Sequence, residues 1–100
     1  MKIHKITKRH IGKCFKYYTG GTNGAPAFIY EYVHGAGGTT YDYIGCFVKE
    51  PSGIFQCDVA NATPEGYWEP ISRLELAVVA PEMLERIRMI EDGTQDTRNM

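Results

Sequence analysis

The stretch YYTGGTNGAPAFIYEYVHGAGGTTYDY, residues 17–43, holds six of the seven tyrosines of this 100-residue chain, separated by clusters of glycine. Glycine clusters of this kind either bind a ligand's phosphates or turn the chain between strands. TGGTNG and HGAGGT match neither the GxxxxGK[ST] loop nor the GxGxxG dinucleotide fingerprint. Neither opens a predicted helix whose backbone N–H groups could hold a phosphate. We therefore predict hairpin turns that place tyrosine-rich strands side by side.

On both sides of this stretch, segments rich in β-branched and aromatic residues alternate with turns that contain glycine or proline. The predicted strands cover residues 11–18, 27–33, 41–48, 54–59 and 76–79. Because no helical pattern separates the first four strands, an antiparallel meander is favoured over parallel βαβ units.

Alternation predicts which side chains of these strands point inward. The inward sets are Ile44, Cys46 and Val48 on the third strand and Phe55, Cys57 and Val59 on the fourth. The second strand is ambiguous, because turning Ile29 and Val33 inward would bury Glu31 with them at a high cost. That cost favours a packed face of Phe28, Tyr30 and Tyr32, or a strand whose two faces are both partly covered.

A turn over residues 71–74 is predicted to precede the fifth strand. Pro81 then marks a helix start, and the helix ends near Gly93. Its apolar residues recur at helical spacing. We predict a mainly β fold: a small five-stranded antiparallel SH3-like barrel with one C-terminal helix. An open antiparallel sheet with one packed helix is the alternative.

Charge divides the chain into two unlike parts. The first 30 residues carry no acid and six basic residues, namely Lys2, Lys5, Lys8, Arg9, Lys13 and Lys16. The remaining 70 carry five basic and twelve acidic residues, so the net charge of -1 hides an asymmetry of +6 against -7. We expect a basic N-terminal arm at residues 1–10, one domain at 11–93 and a frayed tail at 94–100. The arm would bind an anionic partner, lie on the chain's own acidic part or be solvated.

Several function classes are not supported by the sequence. No apolar run reaches the roughly 18 residues of a membrane span, and no signal peptide is recognisable, so a cytoplasmic protein is expected. Three cysteines, Cys14, Cys46 and Cys57, are an odd number and favour reduced thiols that fill the core. His4, His10 and His34 lack zinc spacing, and no motif activates a nucleophile. We expect no cofactor, no metal and no enzyme.

The aromatic residues are the informative feature, because twelve Phe, Trp and Tyr exceed what one small core needs. Tyrosine is favoured at protein interfaces. The predicted partner-binding residues are Tyr17, Tyr30, Tyr32, Tyr41, Tyr43 and Trp68. The alternative is binding of RNA or single-stranded DNA, in which exposed tyrosines stack on bases and phosphates are bound by Lys5, Lys8, Arg9, Lys13 and Lys16.

The segments IGKCFKYY, FIYEYV and ISRLEL together resemble a pattern found in short phage-encoded proteins. The matching residues are Gly12, Lys13, Phe15, Lys16, Tyr17, Ile71, Ser72 and Glu75. This resemblance covers residues 11–76. It implies a small SH3-type module of largely unassigned function, an accessory or inhibitor protein that engages a host or defence protein in the host cytoplasm. It supplies no active-site residues.

Overall fold

The computed structural model describes residues 2–19, 24–35, 42–60 and 66–93. The elements are a 3₁₀ turn (Lys8–His10), strands β1 (Cys14–Tyr18), β2 (Ala25–Val33), β3 (Tyr43–Glu50), β4 (Gly53–Ala60) and β5 (Tyr67–Ile71), and helices α1 (Arg73–Val79) and α2 (Met83–Glu91). The first four predicted strands and the helix after Pro81 are confirmed. Most of the two predicted glycine turns, Tyr41 and the predicted tail lie outside the described residues.

All five strands form one antiparallel sheet in the order β4-β3-β2-β1-β5. Within the described ranges no pairing joins β4 to β5, so the predicted closed barrel is wrong and the sheet is open. The outer side of β5 is instead paired with Ile3, through two backbone hydrogen bonds of 2.8 Å to Trp68. An open sheet was the alternative expectation, although two helices pack on it and not one.

The predicted fifth strand at residues 76–79 is wrong, because this segment is part of α1. The Oγ of Ser72 accepts a hydrogen bond of 3.0 Å from the backbone N–H of Glu75, which caps the helix. Leu76 and Ala80, four residues apart, are fully buried at the sheet. The true fifth strand, β5, lies in the segment that the sequence analysis treated as a linker and a turn.

A bulge explains why the faces of β2 were ambiguous. The pairing of β2 with β3 shifts by one residue between Ile29 and Glu31, which leaves Tyr30 as an extra residue. Phe28 and Tyr30 therefore lie on the helix side of the sheet, while Tyr32 lies on the opposite side. The predicted single packed face of Phe28, Tyr30 and Tyr32 is wrong. The alternative of a strand covered on both faces is confirmed.

Each face of the sheet has its own hydrophobic cluster. The helix side buries Cys14, Phe28, Phe47, Leu76, Ala80, Met83 and Ile87. The opposite side buries Ile6, Phe15, Ala27, Ile29, Ile44, Cys46, Val48 and Trp68, which confirms the inward set of the third strand. Of the set predicted on the fourth, Cys57 and Val59 pack against this cluster. Phe55 remains 45% exposed, because β4 is an edge strand.

Candidate binding surfaces

Residues 2–10, which the sequence analysis set apart as a basic arm, lie against the sheet. Ile6 is fully buried in the cluster opposite the helices, and His10 is 8% exposed. The backbone N–H of Thr7 donates a 2.9 Å hydrogen bond to Nδ1 of His10. Burial, aided by the nearby charge of Arg9, lowers the pKa of His10. The segment is therefore anchored by two apolar residues, Ile3 and Ile6, and one neutral histidine.

The predicted nucleic-acid-binding residues separate into two groups. Lys5, Lys8, Arg9 and Lys13 are exposed. Lys16 lies on β1, where its Nζ is 3.5 Å from a carboxylate oxygen of Glu75 in α1. Lys16 thus joins sheet to helix, and the four exposed cations remain in contact with solvent.

Three of the predicted partner-binding residues, Tyr17, Tyr32 and Trp68, lie on the sheet face opposite the helices. Trp68 is only 3% exposed, and Tyr17 stacks on it at a centroid distance of 4.2 Å. Burial raises the pKa of Tyr17, and the nearby thiols of Cys46 and Cys57 raise it further. Tyr17 on β1 and Cys57 on β4 both pack against the same hydrophobic cluster, although two strands lie between β1 and β4.

Tyr32 has a polar partner at the end of the same face. Its hydroxyl donates a 2.9 Å hydrogen bond to Asp42, whose other oxygen lies 2.7 Å from Nδ1 of His34. The hydrogen bond from Tyr32 lowers the pKa of Asp42, and contacts with His34 and the N–H of Gly35 act in the same direction. This arrangement joins the end of β2 to the start of β3.

Tyr30 and Tyr43 lie on the helix side of the sheet, so the predicted tyrosines do not form one surface. The Tyr30 hydroxyl accepts a 3.1 Å hydrogen bond from Gln56, and its ring lies over Gly45, where any Cβ would come within 2.8 Å of it. Beyond this ring is a groove of about 260 Å³ lined by Glu31, Val33, Tyr43, Gly45 and Asp58. Tyr41 lies outside the described residues.

A second aromatic cluster, which the sequence analysis did not select, lies at the β5 edge. Tyr18 and Tyr67 stack at a centroid distance of 4.6 Å with an interplanar angle of 13°. The Nζ of Lys2 lies 4.7 Å from the centroid of Tyr67, and the His4 ring is 6.0 Å away. We call Lys2, His4, Tyr18 and Tyr67 the aromatic-cation cluster. Its sequence signal was weak, because it depends on pairing residues 2–4 with β5.

Sequence reasoning also missed an apolar stripe on the outer face of α1. Leu74 and Val78, one helical turn apart, are 77% and 74% exposed, and Val79 beside them is 45% exposed. We call Leu74, Val78 and Val79 the α1 stripe. The i, i+4 spacing in RLELAVV was a usable signal, but it was obscured because the segment was read as a strand.

Two of the three cysteines lie close together in the sheet. Cys46 and Cys57 face each other across β3 and β4 with their Sγ atoms 3.8 Å apart. This hydrogen bond, followed by burial, raises the pKa of Cys46, and it lowers the pKa of Cys57. In the described parts of the chain, no three histidines, cysteines or carboxylates gather as metal ligands.

The described helices have 7 and 9 residues, far short of the roughly 20 that span a bilayer.

Comparison with protein-family models, curated proteins and solved structures found no match to this chain. The resemblance of residues 11–76 to small phage-encoded proteins therefore stays a prediction. The function is inferred from the surfaces described above.

Proposed function

We propose that this chain is a non-enzymatic binding module that engages a protein partner through the α1 stripe. The observation that carries the proposal is the exposure of Leu74 and Val78, at 77% and 74%, on one face of a capped helix. Isolated apolar residues are common on protein surfaces, whereas contiguous ones mark interaction sites. Burying this stripe against a partner would remove apolar area from water, which favours association.

Contacts beneath the stripe hold α1 in place before a partner arrives. Two hydrogen bonds of 3.0 Å join the guanidinium of Arg73 to the carboxylate of Glu91 in α2. Glu75 pairs with Lys16 on β1, and Leu76 is fully buried below. A helix fixed on three sides loses little conformational entropy on binding, which benefits affinity. Charged Arg73 and Glu75 also give the apolar stripe a polar rim.

We propose α1 as the partner-binding surface in place of the predicted tyrosines. Those tyrosines lie on both faces of the sheet, and several stack on or hydrogen-bond to other residues of the chain. The resemblance to phage-encoded SH3-type proteins adds the class of partner, a host or defence protein that the module would inhibit. The free thiols of Cys14, Cys46 and Cys57 suit a reducing compartment such as the host cytoplasm.

The test is an affinity capture from nuclease-treated lysate of the native host, followed by reconstitution with the purified partner. We expect the double variant L74D/V78D to weaken binding by at least about tenfold, since it charges both exposed positions. The control is Phe55→Asp, which charges a half-exposed apolar site on β4, away from α1. Equal binding by all three proteins, or no specific partner, would refute the proposal.

A second function, binding of single-stranded nucleic acid, is favoured by the aromatic-cation cluster. Lys2 over a stacked Tyr18–Tyr67 pair offers both a phosphate contact and a ring surface for a base. The exposed Lys5, Lys8 and Arg9 follow directly in the sequence.

Titration of labelled RNA and single-stranded DNA at two salt concentrations tests this function. Affinity should fall steeply as salt rises, because binding releases counterions. Tyr67→Ala should lower the affinity at least about fivefold because stacking is lost. The control Tyr43→Ala, in the groove that also contains Glu31 and Asp58, should leave the affinity unchanged. Absence of binding even at low salt would exclude the second function.

A further inference from the structure

The outer edge of β4 is the only long sheet edge of the described residues with no strand beside it. β4 has eight residues, GIFQCDVA, and pairs with β3 along its whole length without a register shift. Every second residue of such a strand directs its backbone N–H and C=O away from its partner. The segment contains no proline and no lysine, the residues that commonly protect exposed edges. Phe55 adds an apolar side chain that is 45% exposed.

The opposite edge cannot accept another strand in the same way. The N–H and C=O of Trp68 both bond to Ile3, so they point outward from β5. Pro70 lies two residues on and therefore faces the same outer side, but it has no N–H to donate. Addition of β4 from one molecule to β5 of the next, which would build an open chain of molecules, is thus blocked. Two copies can then pair through their sheet edges in only one closed arrangement, in which β4 of one copy lies beside β4 of the other.

We propose that two copies of this chain pair through β4 in an antiparallel, two-fold symmetric dimer centred on Cys57. In this register Phe55 of one copy faces Val59 of the other, and Asp58 faces Gln56. The neighbouring register, centred on Gln56, places the carboxylate of Asp58 opposite apolar Ile54. The register centred on Asp58 brings two carboxylates face to face, which destabilises a strand pair.

The dimer is independent of the α1 stripe. Phe55 and Val59 lie on the sheet face opposite α1, because Val48 and Ile44, their partners on β3, belong to the cluster on that face. Two copies joined at β4 extend one continuous sheet of ten strands, and both copies keep α1 and α2 on the same side. The proposed protein partner and the second copy therefore occupy different surfaces.

Sedimentation or light scattering over a dilution series tests the oligomeric state. We expect a reversible monomer–dimer equilibrium in the wild type. Phe55→Asp should raise the dimer dissociation constant by at least about tenfold, because it removes two symmetry-related contacts and adds two charges. The matched control Leu74→Asp, exposed on α1, should leave the constant unchanged. A protein that stays monomeric, that forms open-ended oligomers or that loses its dimer only in Leu74→Asp overturns the proposal.

Thiol cross-linking tests the register. Facing residues in an antiparallel pair have Cα atoms about 4.5 to 5.5 Å apart, within the range that a disulfide bridges. In a Cys46→Ala variant, which removes the competing thiol, two Cys57 thiolates should couple upon addition of a disulfide oxidant such as oxidised glutathione. Both thiols lose their protons, and the two electrons reduce the oxidant to two thiols. C46A/C57A should not cross-link, and a dimer that forms in Cys46→Ala without cross-linking contradicts the proposed pairing.

Discussion

The outer edge of β5 is covered by Ile3 and interrupted by Pro70, whereas the outer edge of β4 has neither protection among the described residues. The covered edge also carries Trp68, which is buried, with Tyr17 stacked upon it. The open edge carries a half-exposed Phe55. The difference indicates that the N-terminal segment stabilises one side of the sheet, and the proposed dimer would use the other side.

Residues 2–10 have a structural role in addition to their charge. Ile3 and Ile6 hold the segment on the sheet, and the lysines between and after them stay in solvent. A basic run read from composition alone is typical of a solvated arm or of an anion-binding site. Here Ile3 of the same segment also pairs with Trp68 at the β5 edge, so substitutions at the two edges should have very different consequences.

The largest effect is expected at the covered edge. Trp68→Ala removes a buried indole, and the free energy of unfolding should fall by about 3 to 5 kcal/mol. Phe55→Ala is the comparison at the open edge and should cost about 1 kcal/mol or less, since the side chain is already half-exposed. Urea denaturation at a concentration where the wild type is monomeric measures both. Similar losses at the two positions would show that the edges do not differ.

Uncovering the β5 edge should have an intermediate effect. Ile3→Pro removes the N–H that bonds to the carbonyl of Trp68, and we expect a loss of about 1 to 3 kcal/mol from that acceptor and the disturbed packing. The control Ile3→Val retains the N–H and most of the apolar surface. Hydrogen exchange of the Trp68 amide reports the edge directly. Exchange should accelerate in the proline variant only. Unchanged protection in that variant would contradict the pairing of Ile3 with Trp68.

Acidification should destabilise the packing of the N-terminal segment around His10, which lies in the 3₁₀ turn against Phe15 of β1. Because the pKa of His10 is lowered in the folded chain, the unfolded chain binds a proton first as the pH falls below about 6.5. His10 therefore contributes stability above that pH, and the contribution is lost as the pH falls through the folded-state pKa. His10→Gln should flatten the pH dependence between about pH 7.5 and 5.5. The readout is the denaturation midpoint across this range, and equal slopes in the wild type and the variant would refute the assignment.

The smallest effect on the folded monomer is expected from a charge on the open edge. Phe55→Lys should change the free energy of unfolding of the monomer by no more than about 0.5 kcal/mol. The same substitution should abolish pairing through β4, since lysine protects natural edges. Thermal melts of dilute protein together with sedimentation at high concentration separate the two results. A large loss of monomer stability would mean that the β4 edge is covered within the chain.

Local sequence patterns predicted much of the sheet. Four strands, the buried set Ile44, Cys46 and Val48, and the helix after Pro81 all follow from period-2 or helical spacing with turn residues at the ends. The predicted binding residues were less informative, because alternation says which residues share a face only while the register is continuous. The bulge at Tyr30 broke that continuity and sent Tyr30 and Tyr32 to opposite faces.

By itself the sequence determined the strand-and-turn order, because alternation, β-branched residues and glycine act over a few neighbouring residues. The tertiary structure decided the edges of the sheet and the position of α1. Trp68 became part of a strand because β1 on one side and Ile3 on the other supply partners for its backbone. Residues 76–79 became helical because Ser72 caps the segment and the sheet buries Leu76. Apart from the Ser72 cap, which spans only three residues, those contacts join residues far apart in the chain, and no local pattern encodes them.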